Sequence, residues 1–102
     1  MKLGLFGGTF DPIHLGHLVV AEETRVQLQL DEVCFVTAGK PRFKRREITE
    51  VRHRIAMVEA ATRCKAYFTR SEIEVKRDGP TYTVDTLEMF TREYGSSVEL
   101  YL

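Results

Sequence analysis

Lys2-Leu3-Gly4-Leu5-Phe6, followed directly by Gly7-Gly8-Thr9-Phe10-Asp11-Pro12-Ile13-His14-Leu15-Gly16-His17, decides how the chain folds. Residues 2–6 are an apolar run of strand length. Gly7 and Gly8 then open a loop in which dihedrals barred to other residues are available. From about Leu15 the pattern turns helical. Leu15, Leu18, Val19, Ala21, Val26 and Leu28 stand against Glu22 and Arg25, which predicts an amphipathic helix ended by Asp31-Glu32. A buried strand that passes through a glycine turn into a helix is the opening unit of a parallel α/β sheet.

The rest of the chain repeats that alternation. Residues 33–37 read as a second apolar strand and residues 38–41 as a loop. Thr49 is the expected N-cap of a helix over 50–63, with Val51, Ile55, Met57, Val58, Ala60 and Ala61 on its apolar face. Residues 67–68 and 73–75 are strand-like, the latter because Glu72, Ile73, Glu74 and Val75 alternate. Thr83 is the expected N-cap of a third helix over 84–94. Asp85 in its first turn complements the helix dipole, and Gly95 follows its end. Residues 98–102 begin a fourth strand. The order β-α-β-α-β-α-β implies an α/β, Rossmann-like parallel sheet with helices on both faces, in one domain spanning 1–102. The sequence stops at a hydrophobic strand, so a sheet truncated after its fourth strand is expected. Such an edge invites pairing with a second copy.

Composition closes off several classes. The chain has 102 residues, 43% of them hydrophobic and 29% charged, which suits a globular protein rather than a disordered one. No apolar run approaches the roughly 20 residues needed to span a bilayer, and residues 1–8 do not resemble a secretory signal. Fifteen basic residues balance 15 acidic ones, so bulk charge gives no reason to expect a nucleic-acid or membrane partner. The cations are uneven, however. Lys40, Arg42, Lys44, Arg45, Arg46, Arg52 and Arg54 crowd one stretch, which reads either as a solvated surface or as an anion site. Cys34 lies in an apolar run and reads as a buried small hydrophobe, while Cys64 reads as exposed. With no disulfide framework, a reducing cytoplasmic compartment is expected.

The first loop carries the chemistry. It follows the first strand and opens the first helix, where backbone N–H groups and the helix dipole favour an anion. Gly7 and Gly8 let a phosphate approach the main chain. His14 and His17, three apart at the helix start, can face one bound group, with Gly16 leaving space between them. Two imidazoles suit a pyrophosphate leaving group, whose charge grows in the transition state. No further ligands at metal-like spacing accompany them, so no protein-held metal is expected. Neither the G-x-G-x-x-G fingerprint nor the Walker pattern is present, which removes dehydrogenase and P-loop readings.

These residues resemble a known family. Gly7-Gly8-Thr9-Phe10-Asp11-Pro12 with His14-Leu15-Gly16-His17 is similar to the signature of the HxGH nucleotidyltransferases. The bacterial nicotinate-nucleotide adenylyltransferase branch is the nearest in kind. Ala21-Glu22-Glu23, the stretch from Val36 through Lys40-Pro41-Arg42-Phe43-Lys44, and Asp78-Gly79-Pro80-Thr81-Tyr82-Thr83-Val84-Asp85-Thr86-Leu87 all resemble that branch. The resemblance covers the N-terminal part of the family domain. A full member is roughly twice as long, and its second half carries an Ile-Ser-x-Thr-x-x-Arg phosphate motif.

The resemblance implies transfer of AMP from ATP to nicotinate mononucleotide, giving deamido-NAD and pyrophosphate in NAD biosynthesis, with Mg²⁺ carried on the ATP phosphates. It implies catalytic roles for His14, His17 and Lys44, and ATP contacts at Gly7, Gly8, Thr9, Phe10 and Gly16. It places Tyr82 and Thr83 at the nicotinate ring. The alternatives are a non-catalytic nucleotide- or phosphate-binding fragment and a related HxGH adenylyl- or cytidylyltransferase.

Overall fold

The computed structural model describes residues 1–39, 50–76, 83–95 and 98–101. Four strands, β1 (Lys2–Gly8), β2 (Glu32–Thr37), β3 (Phe68–Ser71) and β4 (Glu99–Tyr101), alternate with three helices, α1 (Leu15–Leu28), α2 (Val51–Thr62) and α3 (Thr83–Tyr94). All strand pairs are parallel, and the order across the sheet is β3-β2-β1-β4. The expected α/β alternation is therefore the observed fold.

Alternation along the strands sends side chains to two cores. Leu3 and Leu5 of β1 join Cys34 and Val36 of β2 against Phe90 of α3. Val33 and Phe35 of β2 face the other way and pack with Phe10, Ala21 of α1 and Val58 of α2. Phe35 is the hinge of this aromatic layer: its ring stacks on Phe6 at 5.4 Å and meets Phe68 edge-on at 5.2 Å. Cys34 is buried and Cys64 exposed, both as free thiols, in line with the sequence.

Several local expectations are corrected. Helix α1 ends at Leu28, not at Asp31-Glu32; Gln29 takes the left-handed cap conformation (φ 54°), and Glu32 already belongs to β2. Its apolar residues do not share a face. At 3.6 residues per turn, Leu18, Ala21 and Arg25 fall on one line, while Leu15, Val19 and Val26 sit roughly 100° around the helix. The sheet meets the first line, so Ala21 is buried while Leu15, Val19 and Val26 are exposed; Leu28, the last helical residue, is exposed although it lies near the Ala21 line. The N-cap of α2 is Glu50, with no side-chain cap bond; Thr49 lies outside the described residues. Residues 73–75 are a turn, because the Val75 and Lys76 N–H groups both donate to the Glu72 carbonyl and leave nothing for a ladder. Thr83 is the first helical residue of α3 rather than its cap. Gly95, at φ 90°, follows α3 as expected. Strand β4 lies at an edge of the sheet beside β1.

Candidate functional site

With β2 on one side of β1 and β4 on the other, the chain leaves the sheet in opposite directions about β1. In such sheets ligands bind outside the carboxyl ends of the strands at this reversal. The segment that leaves β1 there is Thr9 to His14. Phe10 turns it with a positive φ of 49°, an uncommon conformation for a side chain of this size. It is held by burial of the ring, which lies 5.8 Å from Phe6 and 5.9 Å from Phe35. The Asp11-Pro12 peptide is cis.

The loop delivers His14 to the N-cap of α1, and the two histidines form a reciprocal capping box. The Gly16 N–H donates to His14 Nδ1 at 3.1 Å, and the His14 N–H donates to His17 Nδ1 at 3.0 Å. The rings stack with centroids 3.9 Å apart. Each Nδ1 is thus an acceptor, which leaves Nε2 as the N–H of each neutral imidazole. Two N–H donors result, beside the positive end of a helix with no acidic residue in its first turn. His17 also meets the Phe10 ring edge-on at 5.3 Å. Burial first, and the neighbouring His14 second, hold its pKa below the ordinary 6.5, so it is neutral at pH 7. Two such donors at a helix N-terminus have the chemistry to meet an anion.

The sequence-predicted residues fall as follows. Gly7 is exposed, Gly8 and Thr9 are half-buried, and Phe10 is buried. The absent side chain of Gly16 is explained by His14: a Cβ there would stand 2.9 Å from His14 Cε1. The space expected for a ligand is filled by the imidazole itself. Thr83 is exposed at the start of α3. Lys44 and Tyr82 lie outside the described residues. Among the described residues, no group of three His, Cys, Asp or Glu side chains could hold a metal ion.

Sequence reasoning missed Arg54. It counted as one of a run of cations, yet its side chain is buried, and it donates to the carbonyls of Thr9, Ala38 and Gly39. The available signal was its position four residues before Val58, on the buried line of α2.

Comparison with known proteins identifies the family. A probable nicotinate-nucleotide adenylyltransferase of Thermoanaerobacter sp. (strain X514) is 48% identical over 102 residues, which are 99% of this chain and 48% of that protein. One of the same description from Bacillus pumilus is 49% identical over 94 residues, covering 91% and 50%. The chain spans about half the length of the curated relatives it matches. Among solved structures, the Plasmodium falciparum nicotinic acid mononucleotide adenylyltransferase complexed with NaAD superposes with a TM-score of 0.80 at 21% identity, over 98% of this chain and 49% of that one. This likeness establishes the Rossmann-like fold. Among the described residues, no helix is long and apolar enough to cross a membrane. The family model for cytidylyltransferase-like proteins matches residues 5–100, touching every strand and helix described above, and the chain belongs to that family.

Proposed function

We propose that the chain carries the phosphate-handling part of a nicotinate-nucleotide adenylyltransferase site, which transfers AMP from ATP to nicotinate mononucleotide. The observation that carries this reading is the stacked His14–His17 pair, both Nδ1 atoms anchored and both Nε2–H groups available. The names of the relatives supply the substrate class. A 5′-phosphate oxygen of nicotinate mononucleotide bonds to the α-phosphorus as the bond to the α–β bridging oxygen breaks in line. That electron pair leaves with pyrophosphate.

His17 faces the α-phosphate and His14 the departing phosphates, meeting negative charge as it grows. Gly7, Gly8, Thr9 and Phe10 bring the main chain close to the phosphates, Gly16 makes room for the His14 ring, and Lys44 adds a cation. Tyr82 and Thr83 border the nicotinate ring, where the positive end of α3 favours a carboxylate. Mg²⁺, carried on the ATP phosphates as part of the substrate, would neutralise part of their charge. It prefers oxygen ligands, and imidazoles held as N–H donors do not compete for it. Free cysteines suit a cytoplasmic setting, and the β4 edge suits self-association.

The test is pyrophosphate release by the purified chain with Mg-ATP and nicotinate mononucleotide. Turnover should fall by about 10²–10³ in His17→Ala, as for a lost transition-state donor. An equal rate in that variant removes the role of His17. Binding of ATP without turnover supports the second reading, a phosphate-binding module. Faster turnover with CTP moves the assignment to a cytidylyltransferase.

A further inference from the structure

We infer that Arg54 is a positioning residue of the phosphate site, its guanidinium setting the distance between the loop after β1 and the loop after β2. Arg54 is 2% exposed, the largest of the fully buried side chains. From α2 its Nη1 donates to the Thr9 carbonyl at 3.0 Å and to the Ala38 carbonyl at 2.6 Å, and its Nη2 donates to the Gly39 carbonyl at 3.2 Å. These three acceptors lie just beyond the carboxyl ends of adjacent strands. The β1–β2 pairing stops at Gly8 and Thr37, with one last bond from the Ala38 N–H to the Gly8 carbonyl at 2.9 Å. Past that point the guanidinium takes over from the ladder. Without it, the half-buried Thr9, Ala38 and Gly39 carbonyls would lose this partner, at a cost that holds the loops to this geometry.

The tie continues to α3. A Cβ on Gly39 would stand 2.9 Å from the Glu74 carbonyl oxygen and 3.1 Å from Val75 Cα, so the loop after β2 is seated directly on the turn after β3. The Glu74 carboxylate in turn accepts from Thr86 Oγ1 at 2.8 Å, in the first turn of α3. Both flanks of the site, the loop feeding His14–His17 and the helix starting at Thr83, are therefore referenced to one guanidinium. Burial pulls the pKa of that group down and the Asp11 carboxylate supports its charge, but an arginine keeps its proton throughout the working range. A lysine is charged equally and reaches as far, but lacks the planar fork that engages several carbonyls at once.

The inference rests on the proposed function only through the ligand used to test it. Arg54→Met, Arg54→Lys and Gly39→Ala are compared with the unaltered chain by amide and imidazole NMR and by titration with pyrophosphate. In Arg54→Met, the amides of Thr9, Phe10, Ala38 and Gly39 and the ring nitrogens of His17 should shift while those of residues 3–6 stay. The dissociation constant for pyrophosphate should rise at least tenfold, with partial recovery in Arg54→Lys. A folded Arg54→Met chain with unmoved loop amides and unchanged affinity overturns the inference. If Arg54→Met does not fold, Arg54→Lys and Gly39→Ala decide, since each disturbs the tie while leaving the buried cation or its charge in place. Unchanged loops in both overturn it. If the unaltered chain does not bind pyrophosphate, the phosphate-transfer reading fails, and the loop shifts alone still decide the role of Arg54.

Discussion

Replacing Gly16 by alanine should separate the stability of the fold from the competence of the site. The added Cβ would lie 2.9 Å from His14 Cε1 and 3.0 Å from His14 Nδ1, closer than such atoms approach, so the imidazole must swing away. In doing so it loses the Gly16 N–H bond and its stack on His17. Loss of a cap costs about 0.5–2 kcal/mol. Alanine in place of glycine within a helix returns about 1 kcal/mol. The two effects nearly cancel, and the unfolding free energy should stay within about 1 kcal/mol of the parent. The site has no such compensation. A misplaced donor to a charged phosphate forfeits about 1.5–3 kcal/mol, a loss of roughly tenfold to a hundredfold in affinity. Urea unfolding measures the first quantity and calorimetric titration with pyrophosphate the second. NMR of the His14 ring nitrogens reports whether Nδ1 still accepts. A Gly16→Ala chain that binds pyrophosphate as tightly as the parent, with His14 Nδ1 unmoved, would refute the argument.

Further outcomes follow from single residues. Phe35→Ala removes a fully buried ring from the aromatic layer and should cost about 3–5 kcal/mol, read from the urea midpoint; a loss under about 1 kcal/mol contradicts the packing described. Burial pushes the Cys34 thiol up to about 11, so iodoacetamide at pH 8 should add one group per native chain, at Cys64, and two only after denaturation, as counted by mass spectrometry. His17 binds its proton less readily folded than unfolded, so the unfolded state takes up more protons as pH falls through 6.5. Stability should therefore be highest above that pH and decline below it. His17→Asn should lose that part of the slope in unfolding measured across pH 5–8. Because neutral His17 is the donor and the attacking phosphate is already an anion, turnover should be level on the alkaline side of neutrality; an alkaline limb assigned to His17 deprotonation sinks that role.

What the sequence discloses and what it conceals divide along a physical line. Strand and helix order was legible because an apolar run such as residues 33–37 can be buried in only a few ways, and glycine turns punctuate it. The His14–His17 pair was legible because three residues on a helix place two side chains together regardless of what surrounds them. Features set by remote partners were not. The alternation of Ile73 and Val75 has the period of a strand, but the Glu72 carbonyl captures the following amides before a neighbouring strand can. The outward set of α1 depends on which line of the helix the sheet meets, and that is fixed by the packing of Ala21 into one core cluster with Phe35 and Val33 rather than by the helix itself. Arg54 is the sharpest instance. A guanidinium in a run of cations reads as solvated, because its burial requires acceptors, and here they come from positions 45, 16 and 15 residues distant. Nothing local announces them. The carbonyls exist as a cluster only once β1 and β2 have paired and run out together at Gly8 and Thr37. The same event fixes where that arginine must sit: the parallel ladder stops after the Ala38 N–H bond to Gly8, and the carbonyls of Thr9, Ala38 and Gly39 just beyond it take their donor from α2. That donor stands 45 residues from the first of these carbonyls, so no residue beside the loop in the chain names it.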